Sequence, residues 1–152
     1  MELLGAENTL NMLMRLPPEI VSKNGGVVRK ALRKGSLVTL DQAKRNVQDI
    51  IARDGLDDST GALLKALGTQ RARHPEHYGA NERFVVHARK APRVRNVTPA
   101  EYGANMELGT ERQTAKPWMT PAYYTTREKG AQTVIDESNR LIARIIAKMN
   151  VP

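Results

Sequence analysis

Residues 120–149 read TPAYYTTREKGAQTVIDESNRLIARIIAKM, and this stretch decides the fold class. Ala131, Val134, Ile135, Ser138, Leu141, Ile142, Ile145, Ile146 and Met149 recur at alternating spacings of three and four, the signature of a long amphipathic helix. Thr120 can cap that helix and Pro121 suits its first turn, where a missing N–H costs nothing. At about 1.5 Å per residue, Pro121 to Met149 spans about 43 Å. A sphere holding this chain would be only roughly 38 Å across, so the expected molecule is elongated. Its apolar stripe needs cover from earlier helices or from a neighbouring subunit. On the other side Asp136, Arg140, Arg144 and Lys148 fall four apart, which reads as an ion pair followed by cations near the helix C-terminus.

The same start code occurs upstream in Thr98-Pro99-Ala100-Glu101-Tyr102, where Glu101 completes a capping box. The helix it opens is short and should stop at Gly109. Before it, Thr69–Glu76 and Glu82–Lys90 flank the turn-prone Tyr78-Gly79-Ala80-Asn81, predicting an antiparallel hairpin. In its second strand Phe84, Val86 and Ala88 form the apolar face. Asp57-Asp58-Ser59-Thr60 offers side-chain acceptors for a short helix over Thr60–Leu67. Further upstream, Ile20, Val27, Val28, Ala31 and Leu32 mark a helix opened by Pro18, and beyond Gly35 Leu40, Ala43, Val47, Ile50 and Ile51 form another apolar stripe. One long helix, or two broken near Gly35, would fit. Leu3, Ala6, Leu10, Leu13 and Met14 form a first short helix that ends at Pro17-Pro18. The expected class is therefore α+β: long N-terminal and C-terminal helices packed with a small antiparallel sheet, in one elongated domain over residues 1–152.

Composition limits the chemistry. The chain has 152 residues, a net charge of +8, no cysteine and only six aromatic side chains. One domain of this size can bury roughly 70% of its unfolded surface. Without cysteine there is no disulfide framework, thiolate zinc site or thiol nucleophile. No run of about 18 apolar residues occurs and the N-terminus does not read as a signal peptide, so no membrane association is expected. Paired carboxylates occur only as adjacent Asp57-Asp58 and Asp136-Glu137, read as caps and solvated residues, and no serine-nucleophile or phosphate-loop motif is present. His74-Pro75-Glu76-His77, with His87 on the next strand, has the residue types of a metal site. Pro75 argues against both rings sharing one helix face, and these are read as surface histidines. No catalytic residue, cofactor or metal is expected, and the chain reads as a non-enzyme.

The basic excess is densest in the middle, where Arg71, Arg73, Arg83, Arg89, Lys90, Arg93 and Arg95 face only Glu76 and Glu82. Such density attracts phosphate or an acidic protein surface. Arg71, Arg73, Arg89, Lys90, Arg93 and Arg95 are the candidate electrostatic contacts, and a small basic nucleic-acid-binding module is the alternative reading. Against it stands the lack of a stacking platform, since Tyr78 and Phe84 are the only aromatics nearby.

Glu107-Leu108-Gly109-Thr110, a polar loop from Glu111 to Lys116, then Pro117-Trp118-Met119-Thr120-Pro121-Ala122 and a long terminal helix form a signature. It resembles the gene-product-ten-like neck and tail-component family of long-tailed lambdoid phages, whose members carry Glu-aromatic-Gly-Thr, a short loop and Pro-Phe-Leu-Arg-Pro-Ala. Ala31-Leu32-Arg33-Lys34, Ala43-Lys44-Arg45 and Thr60-Gly61-Ala62-Leu63 extend the likeness over essentially the whole chain. Leu108 and Trp118-Met119-Thr120 depart from the family pattern, and Tyr78 to Asn96 follows none. The resemblance implies a virion protein of the head-tail junction, assembled in the host cytoplasm. It would form a homo-oligomeric ring that joins a head-closure or connector protein to a tail-tube or tail-terminator protein. DNA would pass through that ring without specific binding. The implied interface comprises Glu107, Gly109, Thr110, Pro117, Trp118, Met119 and Pro121, with a protruding loop at 110–120. Trp118 can anchor that loop either against this chain's own core or against a neighbour.

Overall fold

The computed structural model describes residues 26–54, 61–89, 91–94 and 96–149. Along the chain these form α1 (Gly26–Arg53), α2 (Ala62–Ala66), β1 (Leu67–Arg71), a 3-10 turn (Pro75–Tyr78), β2 (Phe84–Ala88), α3 (Pro99–Leu108) and α4 (Met119–Met149). The class is α+β, two long helices and a two-stranded antiparallel sheet in a single domain. The first short helix expected around Leu3–Met14, the segment from Pro18 to Gly25, the proposed cap Asp57–Thr60, and Lys90 and Arg95 lie outside the described residues.

The frame is the antiparallel pair of α1 and α4. The Asn46 amide donates to the Trp118 carbonyl at 2.8 Å, Thr39 and Thr126 share a hydroxyl hydrogen bond of 2.9 Å, and Gly35 lies against Gly130. Small residues let the backbones approach: Ala31, Ala43 and Ala122 are wholly buried. A Cβ placed on Gly35 would lie 2.5 Å from Val134 Cγ2 and 2.9 Å from the Gly130 carbonyl oxygen. Gly35 therefore interrupts nothing. α1 is continuous because the site where glycine weakens the helix is the site where α4 demands its absent side chain.

Leu40, Ala43, Val47 and Ile50 of α1 join Leu63 and Leu67 of the α2–β1 segment, Met106 of α3, and Trp118 and Ala122 to make the core. Val86 and Ala88 of β2 pack against it, as their alternation required. β1 and β2 pair from Leu67↔Ala88 to Arg71↔Phe84. The first strand is thus earlier and shorter than the sequence suggested. Pro75 has no N–H for the ladder and starts the 3-10 turn instead, which closes on Gly79 in the left-handed region, φ 66°. α2 begins after Gly61, also left-handed at φ 63°.

α3 follows its code closely. Thr98 Oγ1 accepts from the Glu101 amide while the Glu101 carboxylate accepts from the Thr98 amide at 2.8 Å, and Gly109 ends the helix.

On α4 the charge arrangement differs from the expected Asp136–Arg140 pair. Arg140 instead grips Glu137, at 2.5 and 2.9 Å, and Lys34 of α1 reaches the same carboxylate at 2.8 Å. Glu137 is buried rather than solvated, whereas Asp136 accepts from Gln132. The hydrogen bonds from Arg140 and Lys34 hold the Glu137 carboxyl down at about 2. A carboxylate depressed in the folded state stabilises above its unfolded value and loses that contribution as it protonates. Stability should therefore fall as pH drops from about 4.3 toward about 2. Urea midpoints measured across that window should decline less steeply in Glu137→Gln than in the wild type, and equal slopes would refute the assignment.

Candidate functional site

Every residue of the sequence signature from Glu107 to Pro121 lies in the described part of the chain, at the junction between α3 and α4. The junction is built around one carboxylate. Glu107, on the last turn of α3, accepts the amide hydrogens of Trp118 at 2.7 Å and Met119 at 2.8 Å on Oε2, and of Thr120 at 2.9 Å on Oε1. These are free donors at the start of α4, and a negative charge there also opposes the positive end of the helix dipole. Burial raises the Glu107 pKa, but hydrogen bonds from the Thr120 side chain and from these three amides outweigh it and leave the carboxyl below its ordinary value.

Thr120 was expected to cap this helix, and it does not. α4 begins at Met119, so Thr120 and Pro121 already sit inside its first turn. A side chain 12 residues before the helix start supplies the cap instead, a relation that no local spacing rule encodes.

Trp118 fills this chain's own core. It is 5% exposed, and its indole N–H donates to the Gly103 carbonyl at 2.9 Å. Gly103 makes room for the ring, since a Cβ there would lie 3.3 Å from Trp118 Cζ2 and 3.0 Å from Leu63 Cδ1. Met119 and Pro121 are half-buried beside it.

The loop between the helices is tied at both ends. Gly109 adopts φ 77°, and a Cβ on it would meet the Ala115 amide nitrogen at 2.9 Å. Thr110 and Gln113 exchange backbone hydrogen bonds of 2.8 and 3.2 Å. The Lys116 amide donates to the Met106 carbonyl at 2.7 Å, and its ammonium meets Asp54 at the end of α1 at 2.5 Å. Residues 110–115 and Pro117 are exposed, while Lys116 and Trp118–Met119 are drawn inward. The protruding part of the expected 110–120 loop is thus confined mainly to its first half.

The basic middle segment is partly committed to internal contacts. Arg71 forks onto Glu82 at 2.6 and 2.8 Å, with Arg29 of α1 3.8 Å from the same carboxylate. Arg89 lies across Gly68 of β1, where an added Cβ would come 2.4 Å from its Nε. Arg83, outside the candidate set, sits 3.6 Å above the Tyr78 ring. Arg73 and Arg93 are exposed.

A second feature lies on α4. Tyr124, Ile135 and Ile146 are 62%, 52% and 42% exposed and follow one another at intervals of eleven residues. Eleven residues make just over three whole turns, so the three side chains share nearly one line down the helix. That line lies on the side of α4 away from Ala122 and Thr126, which face α1. Sequence periodicity assigned Ile135 and Ile146 to a stripe needing cover, and α1 does not supply it to them.

Set against protein-family models, curated proteins and solved structures, the chain matches none. No helix among the described residues is long and apolar enough to cross a membrane.

Proposed function

We propose that this chain is a structural virion protein of the head-tail junction of a long-tailed phage, acting by ring self-assembly and by docking between the head connector and the tail tube. The observation that carries the reading is the uncovered line Tyr124–Ile135–Ile146 on α4. Large apolar side chains repeated along the outer face of a long helix gain by meeting a second protein surface. Leu108 at 79% exposed adds an apolar side chain at the edge of the α3–α4 junction, beside the signature on which the family resemblance rests. The nucleic-acid-binding alternative is weakened because Arg71 is paired with Glu82 within the chain. A ring lumen must also let DNA slide, which a dense phosphate-gripping surface would oppose.

The test is the assembly state of the full chain by light scattering and electron microscopy, together with mass spectrometry of purified particles. Closed oligomers are expected. Ile135→Glu combined with Ile146→Glu should shift them to monomers while helical circular dichroism is retained. A protein that stays monomeric at all concentrations and is missing from mature particles would end the proposal.

A further inference from the structure

His74, Glu76 and His77 stand together on the 3-10 turn that links the two strands. With about three residues per turn, such a turn stacks positions three apart. His74 at its cap and His77 at its third position accordingly lie ring over ring, centroids 5.1 Å apart and planes 15° from parallel. Pro75, the reason to doubt that two rings could share a helix face, is what starts this tighter turn and brings them into line. Glu76 lies between them in sequence, with Oε1 3.1 Å from His74 Nδ1.

We propose that these three side chains bind a divalent transition-metal ion of the zinc type. One ligand atom from each lies within 4.8 Å of the other two. On a tetrahedral ion with bonds of about 2.0–2.1 Å, neighbouring ligands sit about 3.3 Å apart. The His74–Glu76 separation is already of that size, and rotation of the exposed His77 ring closes the remainder. Two imidazoles and a carboxylate match the preference of zinc for nitrogen with a hard oxygen, and they leave a fourth position for water.

The backbone beneath is held from several sides. Pro75 is buried, and its carbonyl accepts the Ala80 amide at 3.2 Å. The Glu76 carbonyl accepts the Gly79 amide at 3.0 Å, and the Ala72 amide donates to the Arg83 carbonyl at 2.9 Å. The Arg71–Glu82 fork closes the base of the loop. A fixed backbone means that binding orders only three side chains.

The sequence has three histidines and no cysteine, so few competing sites exist. Calorimetric titration of the full chain with zinc chloride should show one saturable site per chain in the micromolar range. His74→Ala and His77→Ala should each weaken it by at least about tenfold, and Glu76→Gln by a smaller factor. His87→Ala, on β2, should leave it unchanged. All three ligands are exposed, so the variants should fold as the wild type does, which circular dichroism verifies. Absence of saturable binding, or binding that survives the His74→Ala, His77→Ala double change, overturns the proposal.

Discussion

Trp118→Ala should destabilise the protein by about 3–5 kcal/mol, the usual cost of emptying a buried tryptophan site. Against a total stability of about 5–15 kcal/mol for a domain, that is a large fraction. The loss has two parts. The ring fills the space between Gly103 of α3, Leu63 and the start of α4, so its removal opens a cavity at the meeting point of three elements. The hydrogen bond from the indole N–H to the Gly103 carbonyl is lost as well. Trp118→Phe should be milder, since it keeps most of the ring volume and removes only the donor. Urea denaturation followed by circular dichroism checks both. A loss below about 1 kcal/mol for Trp118→Ala would mean that the side chain does not anchor the α3–α4 junction.

Gly35→Val should cost about 3 kcal/mol, whereas Gly130→Ala should be neutral or stabilising by up to about 1 kcal/mol. The contrast tests the α1–α4 crossing directly. At Gly35 a new Cβ meets the stiff branched side chain of Val134 at 2.5 Å and backbone oxygen at 2.9 Å, neither of which can swing aside, so the helices must part. At Gly130 a new Cβ finds only the Gly35 carbonyl oxygen at 3.5 Å, an ordinary contact, and the gain in helix propensity dominates. Thermal melts of the two single variants decide the matter. Similar effects at both positions would place the closest approach of the helices elsewhere.

What could be read from the sequence was whatever is written locally. The Thr98–Glu101 box and the stop at Gly109 are short-range hydrogen-bond codes, and the structure repeats them. The apolar stripe of α4 is a periodicity, so the helix was legible while the faces it buries were not. Ser138 and the isoleucines were read as one stripe, yet α1 covers Ala122 and Thr126 and leaves Ile135 and Ile146 outside. Which side of a helix is covered depends on where its partner crosses, and one of the close approaches at that crossing is at Gly35, a residue that looked like a weakness.

The same limit applies to the candidate site. Glu107 belonged to a recognisable signature, but its work as the cap of α4 depends on two segments brought together by Trp118 and Gly103. Glu137 looked like a solvated neighbour of Asp136 until Lys34 approached from the other helix. In the middle segment, charge density pointed outward, whereas Arg71 found Glu82 eleven residues away across the hairpin.

The fastening of the 109–118 loop separates two design problems that usually interfere. With Gly109 pinned at one foot and Lys116 at the other, residues 111–115 form an exchangeable fingertip on a rigid knuckle. Its wording can drift, lengthen or be rewritten to suit a new surface while the hand beneath keeps its grip.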